Sequence, residues 1–218
     1  MIVTFANQKG GAGKSTLCVL FAHYLSDKGY DIHLIDMDFQ KTLERMRSNE
    51  VSKSVQDIHN EDATFDNPQK FSVEYVNTDS IAPVLETVEK NKKSVYLFDA
   101  PGNIANKDIV LTLLRSDVII TPFQYDAVTL DSTGVFVQVL NSFRIPAKVF
   151  FIPNRIDARE KMSFASRTNE LLERNGRKVT PIVYSRSEMK KISTLTISKL
   201  QYELVSPAFD VIYNAIFC

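Results

Sequence analysis

The sequence predicts an α/β fold for this 218-residue chain, a mostly parallel twisted sheet with helices on both faces. Short apolar, β-branched runs alternate with segments of helical period, as in a parallel sheet wrapped by crossover helices. Several of those runs are nearly continuous in apolar residues, as strands buried on both faces require. The first run feeds a glycine-rich turn, Lys9-Gly10-Gly11-Ala12-Gly13-Lys14-Ser15-Thr16, which opens a helix.

Taken in chain order, the apolar run at 2–6 is the first strand. A helix over 15–28 carries Leu17, Leu20, Phe21, Tyr24 and Leu25 on one face and stops at Gly29, a residue suited to a helix C-terminus. Strands follow at 32–36 and 71–76, separated by a Ser-, Asn-, Asp- and Gln-rich stretch, 47–70, read as surface loop with at most one short helix. A helix over 79–91, which Asp79 can cap, leads to a strand at 94–99. Strand 117–122, helix 128–143, strand 148–153, helix 160–175 and strand 179–184 continue the alternation. A last helix over 207–217 presents Val211, Ile212, Ala215 and Ile216 as a core-facing stripe.

Composition bounds the function. The length suits one large domain, 1–218, better than two with small cores. Lys plus Arg and Asp plus Glu number 26 each, so attraction to DNA or anionic lipid has to come from a local patch. Cys18 and Cys218 have no metal-ligand spacing and form no disulfide framework. Neither a targeting segment nor an apolar run of bilayer length is visible, so the expected location is the cytoplasm.

The glycine-rich turn carries the chemistry. The common phosphate-loop pattern, Gly-x-x-x-x-Gly-Lys-Ser/Thr, is met except that Gln8 stands at its first glycine. Glycines let successive backbone N–H groups turn inward around phosphate oxygens, and the helix N-terminus adds its positive end. Gly10, Gly11, Ala12 and Gly13 are the expected cradle. Lys14 is expected on the β- and γ-phosphates, Ser15 on Mg²⁺, and Thr16 on the α-phosphate. The competing reading, a plain glycine turn capping a helix, is disfavoured by the strand and helix on either side.

Asn7-Gln8-Lys9-Gly10-Gly11-Ala12-Gly13-Lys14-Ser15-Thr16 resembles the deviant Walker A motif of the ParA/MinD family of P-loop ATPases, closest to small plasmid-type ParA proteins. The resemblance implies that Lys9 is the family's extra lysine, which reaches a partner's nucleotide when ATP completes a homodimer. A second positive charge near the γ-phosphate would act as an arginine finger does.

Asp36-Met37-Asp38-Phe39-Gln40 resembles the family's Asp-x-Asp-Pro-Gln element, with Phe39 in place of proline. That match implies that Asp38 positions the attacking water and Asp36 supports the loop or the metal shell. Carboxylates two residues apart on an extended segment point the same way. A solvated strand end is the alternative, since turns favour Asp. Val95-Tyr96-Leu97-Phe98-Asp99 resembles a Walker B strand, with Asp99 holding a metal-bound water. Gly102 could then offer its N–H to the γ-phosphate as a switch, a strand-to-loop turn being the alternative.

Asn154-Arg155-Ile156-Asp157 matches the Asn-Lys-x-Asp element by which many GTPases read guanine, with Arg at the lysine position. In ParA relatives this region borders adenine. Asn154 could read either base, so the element leaves ATP and GTP both open, and the resemblance favours ATP.

Cations collect late in the chain, at Arg174, Arg177, Lys178, Arg186, Lys190, Lys191 and Lys199. The segment 182–188 resembles the one in which ParA proteins carry a functional arginine. Arg186, Lys190, Lys191 and Lys199 are therefore the candidates for non-specific DNA contact, against the alternative of a solvated surface. Val205 to Cys218 contains no Lys or Arg, so a basic membrane-targeting helix of the MinD kind is not expected. The first strand starts directly after Met1, so the N-terminal DNA-binding domain of large ParA proteins is not expected either.

Together these readings imply an Mg²⁺- and ATP-dependent dimerisation switch with slow hydrolysis, serving DNA partition with a ParB-type partner. The rivals are a ParA-like ATPase that positions conjugation or other cargo machinery, and a metabolic ATP-using enzyme on the same scaffold.

Overall fold

The computed structural model describes residues 1–58, 70–104, 106–159 and 165–218. Its strands are β1 (Ile2–Phe5), β2 (Ile32–Asp36), β3 (Ser72–Tyr75), β4 (Val95–Asp99), β5 (Val118–Phe123), β6 (Lys148–Ile156), β7 (Lys178–Val179) and β8 (Val183–Tyr184). They pair in the order β3-β2-β4-β1-β5-β6-β7, with β8 also on β6, and every pairing is parallel. The helices are α1 (Lys14–Asp27), α2 (Thr42–Ile58), α3 (Ile81–Lys90), α4 (Lys107–Arg115), α5 (Ala127–Ser142), α6 (Ala165–Leu172) and α7 (Lys199–Phe217).

Period-two alternation along the strands divides the core into two halves. Val3, Phe5, Leu34, Leu97, Ile120 and Ile152 join α1 and α7 on one face. Ile2, Ile35, Phe98, Ile119 and Phe151 join α3, α4 and α5 on the other. The predicted one-sided stripe on α1 understates its burial. Ten of its residues, Lys14 and Leu17 through Leu25, are buried, because the helix lies between the sheet and α7. At its end Gly29 N–H bonds Ser26 O at 2.9 Å and Tyr30 N–H bonds Leu25 O at 3.2 Å, a Schellman closure at the predicted stop.

Several predicted elements are corrected. The stretch 47–70 is helical as far as Ile58, and 59–69 lie outside the described residues. What holds this polar helix α2 is tertiary. Asp36 Oδ2 accepts from Leu43 N–H at 2.9 Å, and Arg47 Nη2 donates to Thr194 O at 2.9 Å. Glu50 accepts from the N–H and hydroxyl of Thr194. Helix α4 had no counterpart in the prediction, although Asn106 caps it on Asp108 N–H at 2.8 Å. Asn77, not Asp79, is the cap ahead of α3.

The predicted strand 179–184 is two short strands, since Pro181 has no N–H for a ladder. Helix α7 starts at Lys199, where Ser198 and Gln201 form a capping box, and passes through Pro207. Its buried stripe is Val205, Ala208, Phe209 and Ile212; of the four residues predicted, Ile212 is buried and Ala215 and Ile216 are partly buried against the core. Of the predicted helix 160–175, residues 160–164 lie outside the described residues and α6 occupies Ala165–Leu172.

Candidate functional site

The sheet brings the C-terminal ends of β1, β2, β4 and β6 to one edge. The strand order switches at β1, which lies between β4 and β5, so the connections on its two sides leave in opposite directions and open a crevice. A 210 Å³ cavity in that crevice is walled by Gly10, Gly11, Gly13, Lys14, Ser15, Thr16, Asp38, Asp99, Ala100, Gly102 and Arg155. Residues that the sequence singled out from separate segments therefore meet. Larger grooves lie along α2 (870 Å³), reaching Phe39 and Gln40, and between α5 and α6 (690 Å³), walled in part by Arg174 and Arg177.

The loop's shape rests on backbone that side chains resist. Gly13 has φ 94°, and a Cβ there would stand 2.3 Å from Asn154 Nδ2. Gly102 lies so close to the loop that a Cβ would meet Gly10 N at 3.1 Å, which packs the switch candidate directly against the cradle. Gly13→Ala is accordingly expected to cost more than the roughly 1–2 kcal/mol of a left-handed residue, because Asn154 must also move. Thermal melting and nucleotide titration check this; wild-type values in both would contradict the geometry.

Lys14 is 8% exposed, and its Nζ donates to Lys9 O at 3.1 Å. Burial lowers its pKa, while Asp99 and Asp38 act to raise it. Lys9 takes a different course. Its Nζ donates to Thr129 Oγ1 at 2.9 Å and lies 3.7 Å from Asp126 Oδ1, off the cavity wall. Asp126 is itself the N-cap of α5, accepting from Thr129 N–H at 2.9 Å. The sequence reading missed Asp126 and Thr129, since nothing local marks a cap as a lysine's partner.

The two carboxylates at the end of β2, Asp36 within it and Asp38 beyond it, diverge. Asp36, the last residue of that strand, accepts from the N–H groups of Asp38 at 3.0 Å, Leu43 at 2.9 Å and Glu44 at 3.4 Å. It supports the loop and is not on the cavity wall, whereas Asp38 is. Beyond β2 the chain turns, so the period-two argument for a shared direction does not extend to Asp38. Asp38 Oδ1 accepts from Gln40 N–H at 3.0 Å and Asp38 O from Lys41 N–H at 2.8 Å. These bonds hold the turn without the proline, and Phe39 is left 78% exposed.

Asp99 is buried, with the Ser15 hydroxyl on its carboxylate and Oδ1 without a partner. Burial pushes its pKa up to about 7, against the Ser15 hydrogen bond and the Lys14 charge. A hydroxyl beside a carboxylate with a free buried oxygen fits Mg²⁺, a hard cation that keeps several waters. The described residues contain no cluster of three or more His, Cys, Asp or Glu able to hold a metal.

A carboxyl whose folded pKa lies above its unfolded value contributes stability at low pH. That contribution is lost as pH rises from the unfolded value of 3.8 through about 7. Asp99→Asn is therefore expected to melt increasingly above wild type between pH 5 and pH 8 without ligand. A pH-independent difference in melting temperature would exclude the assignment.

A second cavity, of 310 Å³, adjoins the first and is walled by Thr16, Asn154, Arg155, Tyr184, Ser185, Arg186, Met189 and Lys190. Asn154 is at this cavity, but its Nδ2 donates to Ala12 O at 2.8 Å, so its amide also braces the loop. The sequence reading did not single out Arg155 as a site residue. Of the DNA candidates, Arg186, Lys190 and Lys191 gather on and around the short turn Ser187–Lys190. Lys199 stands at the start of α7, 3.8 Å from Glu203. No helix among the described residues is long and apolar enough to cross a membrane.

The fold is shared with solved proteins. A candidate plasmid partition protein of Borrelia burgdorferi, bound to AMPPNP, superposes with a TM-score of 0.73 at 18% identity, over 99% of this chain and 98% of that one. MinD of Aquifex aeolicus gives 0.69 at 12% identity, over 97% and 96%. A ParA family ATPase of Chlorobium tepidum gives 0.67 at 14%, over 95% and 97%. An uncharacterized protein of Methanocaldococcus jannaschii is 44% identical over 43 residues, 20% of this chain and only 17% of that protein. Residues 3–195 match the CobQ/CobB/MinD/ParA nucleotide binding domain. With that match spanning most of its length, the chain belongs to the CobQ/CobB/MinD/ParA nucleotide-binding family.

Proposed function

We propose that this chain, as one domain over 1–218, is an Mg²⁺- and ATP-dependent dimerisation switch with slow ATP hydrolysis that acts in plasmid or chromosome DNA partition. The observation that carries the reading is the divergence of the two lysines. Lys14 lines the phosphate cavity, while Lys9 leaves it for Thr129 and Asp126. A lysine at the loop's start that does not serve its own cavity would exchange Thr129 and Asp126 for the nucleotide of a second copy. ATP would set the dimer population and hydrolysis would reset it.

Adenine is favoured over guanine by the fate of Asp157. The carboxylate that the guanine-reading pattern would use accepts instead from Arg159, by Nε at 3.0 Å and by Nη2 at 2.7 Å. Mg²⁺ on Ser15 and Asp99 would neutralise phosphate charge, and Asp38 would orient water at the cavity wall. Arg186, Lys190 and Lys191 would bind DNA phosphates without reading sequence, and a ParB-type partner would stimulate release. Sedimentation velocity with and without ATP and Mg²⁺, with and without DNA and across salt, tests the proposal. ATP should convert monomer to dimer, and DNA binding should weaken steeply with salt.

Lys9→Ala should bind ATP within a few-fold of wild type yet stay monomeric. A Lys9→Ala protein that dimerises normally would leave only a generic nucleotide pocket.

A further inference from the structure

In a regular strand, consecutive side chains point to opposite faces, so Asn154 and Arg155 should not reach the same loop. Both do. Asn154 Nδ2 donates to Ala12 O at 2.8 Å, and Arg155 Nη1 donates to Gly11 O at 2.6 Å. The cause is a break in the ladder. Asn154 pairs with Val183 and Ile156 with Tyr184, and the register shifts between them, leaving Arg155 as an inserted residue. Its φ is 58°, a left-handed backbone that an arginine adopts at a cost. A bulge of this kind re-aims a side chain, and a strained residue persists only where the surroundings hold it.

Where the guanidinium goes is specific. Among the described residues, only Thr16 and Arg155 wall both the 210 Å³ cavity at the glycine-rich loop and the 310 Å³ cavity beside it. Arg155 thus stands at the seam between a phosphate cradle and the space where a base would lie. One nitrogen is anchored on the loop, and the side chain is otherwise exposed to the cleft. Nε lies beside Gly13, 3.5 Å from where its Cβ would be. A planar guanidinium with one edge fixed still presents donors for an anionic oxygen.

We propose that Arg155 contacts bound nucleotide at the α-phosphate and ribose, joining the phosphate and base halves of the site, and that the bulge exists to aim it there. The inference rests on the nucleotide-switch reading. It also predicts which ligands notice Arg155: the side chain reaches the second cavity, which Asp38 and Asp99 do not wall, so the terminal phosphate should not matter.

The test is equilibrium titration of fluorescent ATP and ADP into wild type, Arg155→Ala, Arg155→Lys and Arg155→Gly, with ligand-free melting curves alongside. Arg155→Ala should weaken ATP and ADP equally, on the order of tenfold to a hundredfold, as loss of a charge-assisted hydrogen bond does. Arg155→Lys should recover part of that loss. Arg155→Gly, which accepts the left-handed backbone, should bind as poorly as Arg155→Ala while melting no lower. Loss confined to ATP would overturn the assignment, as would wild-type affinity in Arg155→Gly. A fall in melting temperature that accounts for the binding loss, with no rescue by lysine, would reduce Arg155 to a structural brace and overturn it too. If wild type itself binds no purine nucleotide, the functional reading fails first and takes this inference with it.

Discussion

Lys14→Ala is expected to abolish measurable binding of ATP and ADP while leaving the fold intact. Lys14 is the buried cation of the cavity, with Asp99 and Asp38 near enough to raise its pKa against the effect of burial. Each charged hydrogen bond to a phosphate is worth about 1.5–3 kcal/mol. Losing contacts to two phosphates should cut affinity by about 10²- to 10⁴-fold. The ligand-free protein has less to lose, because among the described residues the side chain's one hydrogen bond is to Lys9 O at 3.1 Å. Calorimetric titration read beside a melting curve separates the two effects. Retained affinity in a folded Lys14→Ala protein would remove the phosphate assignment and everything built on it.

Asp38→Ala should behave in the opposite way, keeping ATP and failing to cleave it. The side chain sits on the cavity wall and, among the described residues, its one hydrogen bond is from Gln40 N–H at 3.0 Å, so its removal disturbs the loop little. Positioned acid or base groups contribute about 10²- to 10⁴-fold to rate. Single-turnover hydrolysis is expected to fall by that order, with ATP affinity within a few-fold of wild type. Sedimentation should then find an ATP dimer that no longer decays. Wild-type turnover in this variant would take away the role given to Asp38, and slow turnover without a lasting dimer would detach hydrolysis from disassembly.

The prediction succeeded where local pattern and tertiary role coincide. The strands at the centre of the sheet, the helix after the phosphate loop and its stop at Gly29 were legible because apolar period and turn chemistry are local properties. Helix α2 was not, since its surface is polar and its support comes from Asp36 at one end and Thr194, 147 residues beyond Arg47, at the other. The missed α4 is different. Its Asn106 cap, Asp108 in the first turn and Arg115 in the last were present as signals, in a segment short enough to pass for loop.

By itself, the sequence determined the fold class and the family, the latter through its glycine-rich loop. A glycine-rich turn between a strand and a helix is a local pattern, whose residue types act through their own backbone. Only the tertiary structure decided which way each side chain faces. It separated Asp36 from Asp38, sent Lys9 to the cap of α5, and turned Arg155 onto the loop through a bulge. Direction at a strand's end depends on the partner strand's register and on loops folded in from elsewhere, and no window of neighbouring residues contains that information.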